Sequence, residues 1–541
     1  MNDAPQVPSA DDIARITDRL LREALDGSMP VPAPSLMDPP ATPPMAAGMA
    51  ERAPHVVRDP AHLSALVPPA TPLPTPMSAS ASTPAVPSPS SPELAGLRAF
   101  VAQVRGGHHR DLPEFRTPDI LHDAARSVRG VPAATTPFGV GAFNVEAVRR
   151  DFPILSERVH GHPLIWLDNA ATTQKPQAVI DALSRFYSHD NSNIHRAAHA
   201  LAARATEGYE SARRTVQEFL GASRPEEMIF VRGCTEGINL VANVLGSTFR
   251  PGDEIVLPEL EHHANIVPWQ MVAERTGAVI RVAPIDDRGD VILEAYERLL
   301  GPRTRVVAMS HASNSLGTIL PVEVMTGMAK AHGAMVLVDG AQSVSHFPVD
   351  VRRIGCDFYV FSGHKLFGPT GIGAVYASNA AQESLPPWQG GGNMIRDVTF
   401  QRTTYADPPA KFEAGTPNIA DAVGLAAALD YVTALGRERI AAYEHALLEH
   451  ATAALAGIPG LRLIGTSSAK VGVLSFVVDG RDPIEIGRAL DREGIAVRAG
   501  HHCAQPSLRH FGLEATVRPS LAFYNTTAEV DRLVEILRRS R

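Results

Sequence analysis

The stretch VRAGHHCAQP, Val497 to Pro506, sets His501 and His502 directly against Cys503, with Gly500 before them. Three chemistries suit that pattern: half of a metal site, a nucleophile beside a base, or a packed and inert thiol. A zinc site needs about four ligands at workable spacing. Adjacent histidines diverge in an extended chain, and the other cysteines, Cys234 and Cys356, stand in unrelated stretches. No metal site is therefore expected. Gly500 and the polar residues around Cys503 point to an accessible thiol on a mobile loop. Nearby histidine and arginine charge would favour its thiolate, the form that attacks.

Other reactive side chains stand directly after short apolar runs. FVRGCTEG brings Cys234 and Thr235 into the start of a helix, where backbone N–H groups and a hydroxyl suit a phosphate. ELEHHANIVPW offers His262 and His263, HASNSLGT offers Asn314, LVDGAQS offers Asp339 and Gln342, and FSGHKLFGPTGIG offers Ser362, His364 and Lys365. Taken singly these are bland, since a lone lysine is usually solvated and a lone aspartate usually caps a helix. Asp339, however, ends a hydrophobic strand, where a carboxylate is costly without a cationic partner. A phosphate cradle, a carboxylate for a pyridine nitrogen and a lysine for a Schiff base together describe a pyridoxal 5'-phosphate site.

The elements that would carry these residues follow from the same runs. EMIFVRG, DEIVLPEL, TRVVAMSHAS, AMVLVDGAQ and CDFYVFSG read as strands buried on both faces, with helical stretches such as Ala441 to Gly457 among and after them. That alternation predicts an α/β fold with a mostly parallel central sheet. Ligands then bind beyond the carboxyl ends of the strands, where the reactive residues stand.

LDNAATTQKP, NSNIHRAAHALAARAT, FVRGCTEGINLVAN, EHHANIVPWQ, HASNSLGT, VDGAQS, FSGHKLFGPTGIG, FEAGTPN, RAGHHCAQP and RPSLAFYNT occur in this order from about residue 143 to the C-terminus. The chain thereby resembles fold-type-I pyridoxal phosphate enzymes of the class-V aminotransferase family, and within it the SUF-type (group II) cysteine desulfurases. The resemblance implies a large cofactor-binding domain over about 160–405 and a smaller α/β domain from about 143–160 and 406–541. It implies that Lys365 holds the cofactor and moves the substrate Cα proton, that Asp339 pairs with the pyridine nitrogen, and that Gln342 meets the ring phenolic oxygen. His262 would stack on the ring, while His263 is structural. Cys234, Thr235, Ser362 and His364 would surround the phosphate, with Thr416 reaching it from the other subunit of a homodimer. Asn314, Arg498, Arg518 and His195 would meet the substrate, whose carboxylate suits an arginine fork. Cys503 would take sulfur from L-cysteine as a persulfide and pass it to an acceptor protein, for iron–sulfur cluster assembly or sulfur storage. Alanines within HRAAH, Ala499 and Pro519 depart from the usual pattern without removing a reactive group.

The 541-residue chain carries 50 Lys plus Arg against 58 Asp plus Glu, a formal charge of -8, which argues against a nucleic-acid partner. No apolar run is long enough to span a bilayer, the N-terminus lacks the order of a signal peptide, and three cysteines suit a reducing compartment. A cytoplasmic location is expected. More than half of the 45 prolines precede residue 140, whereas all three tryptophans follow it. Residues 1–140 read as a mostly disordered Pro/Ala/Ser-rich extension. Helical motifs are expected within it at about 11–27 (Ile13, Ile16, Leu20, Ala24), 91–106 (Leu94, Leu97, Val101, Val104) and 117–130 (Ile120, Leu121, Ala124, Val128). They could dock on their own catalytic region or on a partner's groove. The extension resembles the cargo-loading domain of desulfurases packaged in family 2A encapsulin shells, which implies a shell-protein partner and a nanocompartment. Selenocysteine lyase, cysteine sulfinate desulfinase and an assembly protein addressed by its N-terminal motifs are the competing functions.

Overall fold

The computed structural model describes residues 143–195 and 199–539; the three N-terminal helical motifs lie outside the described residues. Seven strands build the central sheet: β1 (Met228–Val231), β2 (Glu254–Pro258), β3 (Val279–Ala283), β4 (Thr304–Ser310), β5 (Met335–Asp339), β6 (Phe358–Ser362) and β7 (Gly373–Ala377). Their spatial order is β1-β7-β6-β5-β4-β2-β3. Neighbours from β3 through β6 run parallel, while β7 is antiparallel to both β6 and β1. The expected α/β fold with a mostly parallel sheet is present.

Alternate residues of each strand enter opposite cores, as a period of two requires. Met228, Phe230, Val256, Val307, Val336, Val338 and Phe361 pack with helices α1 (Ala200–Leu220), α4 (Val322–Ala331) and α5 (Ile419–Leu435). Ile229, Val231, Ile255, Val306, Leu337 and Val360 pack with α2 (Cys234–Gly246) and α3 (Val267–Thr276). Coverage on both faces is why these strands read as unbroken apolar runs. Only the edge strand β3 leaves most of its residues outside the core.

A second, antiparallel sheet joins β8 (Leu461–Ile464), β9 (Ser475–Val478), β10 (Arg498–Gly500) and β11 (Thr516–Arg518) in the order β8-β9-β11-β10. Phe476 and Val517 pack there with Leu447 and Leu455 of α6 (Arg437–Ala456), Leu490 of α7 (Pro483–Asp491) and Leu533 of α8 (Thr527–Arg539). Ile165–Trp166 pairs parallel with Ile495–Ala496, and Ser520 N–H donates to the Leu167 carbonyl at 2.7 Å. These pairings bring Asp168 to the ends of β10 and β11.

Candidate active site

Three strand ends of the large sheet converge. Asp339, the last residue of β5, is buried, and its carboxylate accepts from Ala341 N–H at 2.9 Å and from Cys234 Sγ–H at 3.3 Å. Gly340 permits that tight turn, because a Cβ there would come within 2.1 Å of the Tyr359 ring. Burial pushes the Asp339 carboxyl up, against the opposing pull of Ala341 N–H, Lys365 and Cys234. Ser362, at the end of β6, accepts from Cys234 N–H at 2.8 Å and so ties the start of α2 to its neighbour strand. Gly233 precedes α2 at a φ of 148°, and a Cβ there would meet Ser362 Oγ at 3.0 Å. The cradle is therefore backbone, open to an anion at the helix N-terminus.

Lys365 ends the short turn that follows β6. Burial holds its amine below the usual lysine range, opposed by the charges of Cys234 and Asp339 and reinforced by Arg518 and Arg498. The carbonyl of the preceding residue, His364, accepts from Thr173 N–H at 3.0 Å, Thr172 Oγ1 at 3.0 Å, Thr173 Oγ1 at 3.2 Å and Lys175 Nζ at 3.2 Å. Burial and the neighbouring lysines Lys365 and Lys175 push the His364 ring down to about 4. Gln342 reaches Ala170 O with its Nε2 at 2.7 Å.

His262 Nδ1 accepts from Ala264 N–H at 3.0 Å, and burial, then Lys365, push the ring down to about 3. It is thus neutral, with its proton on Nε2. His263 is tied to the thiol's turn: its N–H donates to the Cys503 carbonyl at 2.8 Å, and its Nε2 accepts from Gln505 N–H at 3.3 Å. Burial, then His501, hold the His263 ring below the usual histidine range. Cys503 is half-buried, between a buried His502 and a buried Ala504. His502 bonds inward to Thr516 Oγ1 at 2.8 Å, whereas the exposed His501 takes Cys503 N–H on Nδ1 at 3.0 Å. Both His502 and Cys503 adopt left-handed backbone, φ 53° and 55°, a conformation costing non-glycine residues roughly 1–2 kcal/mol each. The thiol thus sits on a turn tied to His263 and, through His502, to Thr516.

Arg498 and Arg518 are direct partners across β10 and β11. Like charges so placed repel, and Asp168 relieves that by bonding Arg518 Nη2 at 2.9 Å and Arg498 Nε at 3.4 Å. Arg518, fully buried, also donates from Nη1 to Asn314 O at 2.9 Å, and burial pushes its guanidinium down to about 10. Asn314 Nδ2 donates to His502 O at 2.7 Å. Asn314 Oδ1 and Arg518 Nε are buried without a partner among the described residues.

Three sequence candidates are exposed. Thr235 is exposed at the second position of α2. Thr416 lines an open surface hollow with Asn193, Pro417 and Asn418. His195 bonds Glu210 at 3.0 Å, which raises its pKa above the usual histidine value. His263, expected to be structural, holds the Cys503 carbonyl, and two residues carry weight that sequence reasoning did not assign: Asp168 between the arginines, and Glu413. The last accepts from Arg213, Tyr209 and Phe230 N–H just before the Thr416 turn.

Pyridoxal phosphate fits this donor set. Lys365 supplies an amine of lowered basicity, Asp339 a buried carboxylate, Ser362 and the start of α2 an anion cradle, and Arg518 Nε and Asn314 Oδ1 two unpartnered polar atoms for a substrate.

The aminotransferase class-V family profile matches residues 165–533. A probable cysteine desulfurase of Mycolicibacterium paratuberculosis is 64% identical over 398 residues, 73% of this chain and 58% of that relative. The chain therefore spans less than two thirds of that relative's length. A cysteine desulfurase of Synechococcus elongatus is 57% identical over 464 residues, 84% of this chain and 74% of that one. The crystal structure of the Escherichia coli cysteine desulfurase CsdA, an S-sulfonic acid form, superposes with a TM-score of 0.68 at 40% identity, over 74% of this chain and 99% of that one.

Proposed function

The chain belongs to the aminotransferase class-V family, and from that premise we propose that it is a SUF-type (group II) cysteine desulfurase. It converts L-cysteine to L-alanine and leaves the sulfur as a persulfide on Cys503. The observation that carries this reading is Asn314, whose Nδ2 holds the His502 carbonyl beside Cys503 and whose own carbonyl holds Arg518, so that the turn of the thiol and the arginine pair share one residue.

Lys365, Asp339, Gln342, His262, Ser362 and the start of α2 would hold pyridoxal phosphate, with Thr416 contributing from the second subunit of a homodimer. When bound, that group delocalises the electron pair released at the substrate Cα. Arg518 and Arg498 take the substrate carboxylate beside Asp168, and Asn314 turns its free Oδ1 toward the bound molecule. Lys365, kept less basic by burial, removes the Cα proton and can return one. His262 stays neutral and adds no charge to the crowded cationic side. The Cys503 thiolate attacks the substrate Sγ, the S–S bond forms as the C–S bond breaks, and the carbon fragment keeps the bonding pair and is protonated to L-alanine. The balance is L-cysteine plus Cys503 thiol to L-alanine plus Cys503 persulfide, which a protein acceptor then relieves.

The decisive experiment is L-cysteine turnover with alanine and sulfide both quantified. Cys503→Ala should abolish turnover while the absorbance of bound pyridoxal phosphate persists; an unchanged rate rejects the assignment. Selenocysteine turnover surviving in that variant at the wild-type rate, with no loss on L-cysteine, would instead favour a lyase.

The enzyme is further read as cytoplasmic, since Cys234, Cys356 and Cys503 are all free thiols. Its residues 1–140 are read as an address for an encapsulin shell. A reporter fused to 1–140 and co-expressed with the shell protein should co-sediment with it, and a reporter left outside counts against packaging.

A further inference from the structure

Sequence spacing offers one thiol and two divergent histidines. The fold changes the donor count, because the turn before α3 delivers His263 from more than two hundred residues away. One ligand atom from each of His263, His501 and Cys503 lies within 4.8 Å of the others. The rings of His263 and His501 lie 5.7 Å apart at an interplanar angle of 27°. His263 Nε2 and His501 Nδ1 both accept backbone N–H groups of the Gln505 and Cys503 peptides, so both lone pairs face the turn that bears the thiol.

We propose that His263, His501 and Cys503 form a binding site for a borderline-soft metal ion, zinc foremost, which captures the loop thiol. One thiolate and two imidazoles are a donor set such ions favour over magnesium or calcium. The backbone is already joined at this point, since His263 N–H holds the Cys503 carbonyl. Zinc bonds of about 2.0–2.3 Å put tetrahedral ligand atoms roughly 3.3–3.8 Å apart. The longest separation must therefore close by about 1 Å. Side-chain rotation supplies that, because His501 is exposed and His263 and Cys503 are only half-buried. The ion takes up the two lone pairs now spent on backbone N–H groups, one of them in a long 3.3 Å bond. Binding deprotonates Cys503: the zinc ion plus the thiol give the zinc thiolate and one released proton. Three protein ligands leave the fourth position to water. The captured thiolate cannot attack sulfur, so the ion acts as an inhibitor, a consequence that rests on the nucleophile role proposed above.

The test titrates zinc into the cofactor-loaded enzyme against a chromophoric chelator, with L-cysteine turnover followed in parallel. One zinc equivalent per chain is expected, lost in Cys503→Ser and weakened at least tenfold in the exposed-site variant His501→Ala and in His263→Ala. Stoichiometric binding that survives Cys503→Ser, or that is unchanged in His501→Ala, would overturn the site. Wild-type enzyme that shows no such equivalent would do so as well. Zinc that binds in the expected pattern yet leaves turnover untouched upholds the site and counts instead against Cys503 as the sulfur acceptor.

Discussion

Glu413→Gln gives a sharp test of what holds the site's surroundings together. Glu413 Oε1 accepts from Arg213 Nη1 at 2.7 Å and from Phe230 N–H at 2.7 Å, and Oε2 accepts from Arg213 Nη2 at 3.0 Å and Tyr209 OH at 3.1 Å. Arg213 is 3% exposed and Glu413 7%. Glutamine turns one oxygen into an amide NH2: at Oε1 it would face both Arg213 Nη1 and Phe230 N–H, at Oε2 it would face Arg213 Nη2 while the Tyr209 hydroxyl turns to accept, and either way Arg213 keeps only the Glu210 carboxylate of its two charged partners. Breaking a buried pair in this way costs about 3–5 kcal/mol. Unfolding entropy near 2.1 cal/mol/K per residue over roughly 400 residues gives about 0.8 kcal/mol/K. The melting temperature should then fall by about 4–6 °C in calorimetry on cofactor-loaded protein. Glu226→Gln is the control, since its pair with Arg224 is largely exposed at 59% and 50% and is worth under about 1 kcal/mol. Equal shifts in the two variants, or a shift below about 1 °C in Glu413→Gln, would refute the assignment of the stability to burial.

Asp168→Asn leaves the facing arginines without their shared charge, so kcat/KM for L-cysteine should drop about tenfold, mostly through KM; a drop confined to kcat would show that Asp168 does not position the carboxylate site. The His195–Glu210 pair should be pH-limited. His195 is raised above 6.5 and Glu210 lowered from 4.5 to about 2, so their contribution is present between about pH 4.5 and 6.5. It fades as pH rises through the folded histidine value or falls toward 2, and His195→Gln, which leaves Glu210 on Arg213, should cost under about 1 kcal/mol, most within that window, in urea titrations at stepped pH. Iodoacetamide at neutral pH should label Cys503 alone by peptide mass spectrometry. Burial pushes the Cys234 and Cys356 thiols well up, and labelling of either at a comparable rate would contradict that environment.

Much of the catalytic end of the large sheet was legible because buried strands announce themselves. Asp339 and Ser362 close apolar runs, and Cys234 opens the helix after one, so their neighbourhood followed from the runs. Strands β3 and β7 were harder. β3 is an exposed edge with a polar interruption at Arg281, and β7 hides in a glycine-rich motif. The antiparallel sense of β7 leaves no trace in its residues, since a strand buried on both faces reads alike in either direction. The contacts of Asp168, His263 and Glu413 eluded the sequence for another reason. Their partners lie 350, 242 and 200 residues away, and no local periodicity encodes such meetings. The tie between the Cys503 segment and His263 was hidden on the same ground, because Gly500 and polar neighbours say nothing of a histidine amide arriving from another part of the chain.

That amide bears on how sulfur would depart in the proposed reaction. It holds the carbonyl of Cys503, and the flanking His502 and Ala504 are sunk in the protein, so the thiol is presented from a tethered turn. A receiving protein would then have to bring its own thiol down to that turn. Selectivity for recipients is then a matter of who can fit the doorway, and a blunt-surfaced thiol protein would wait outside however reactive its sulfur.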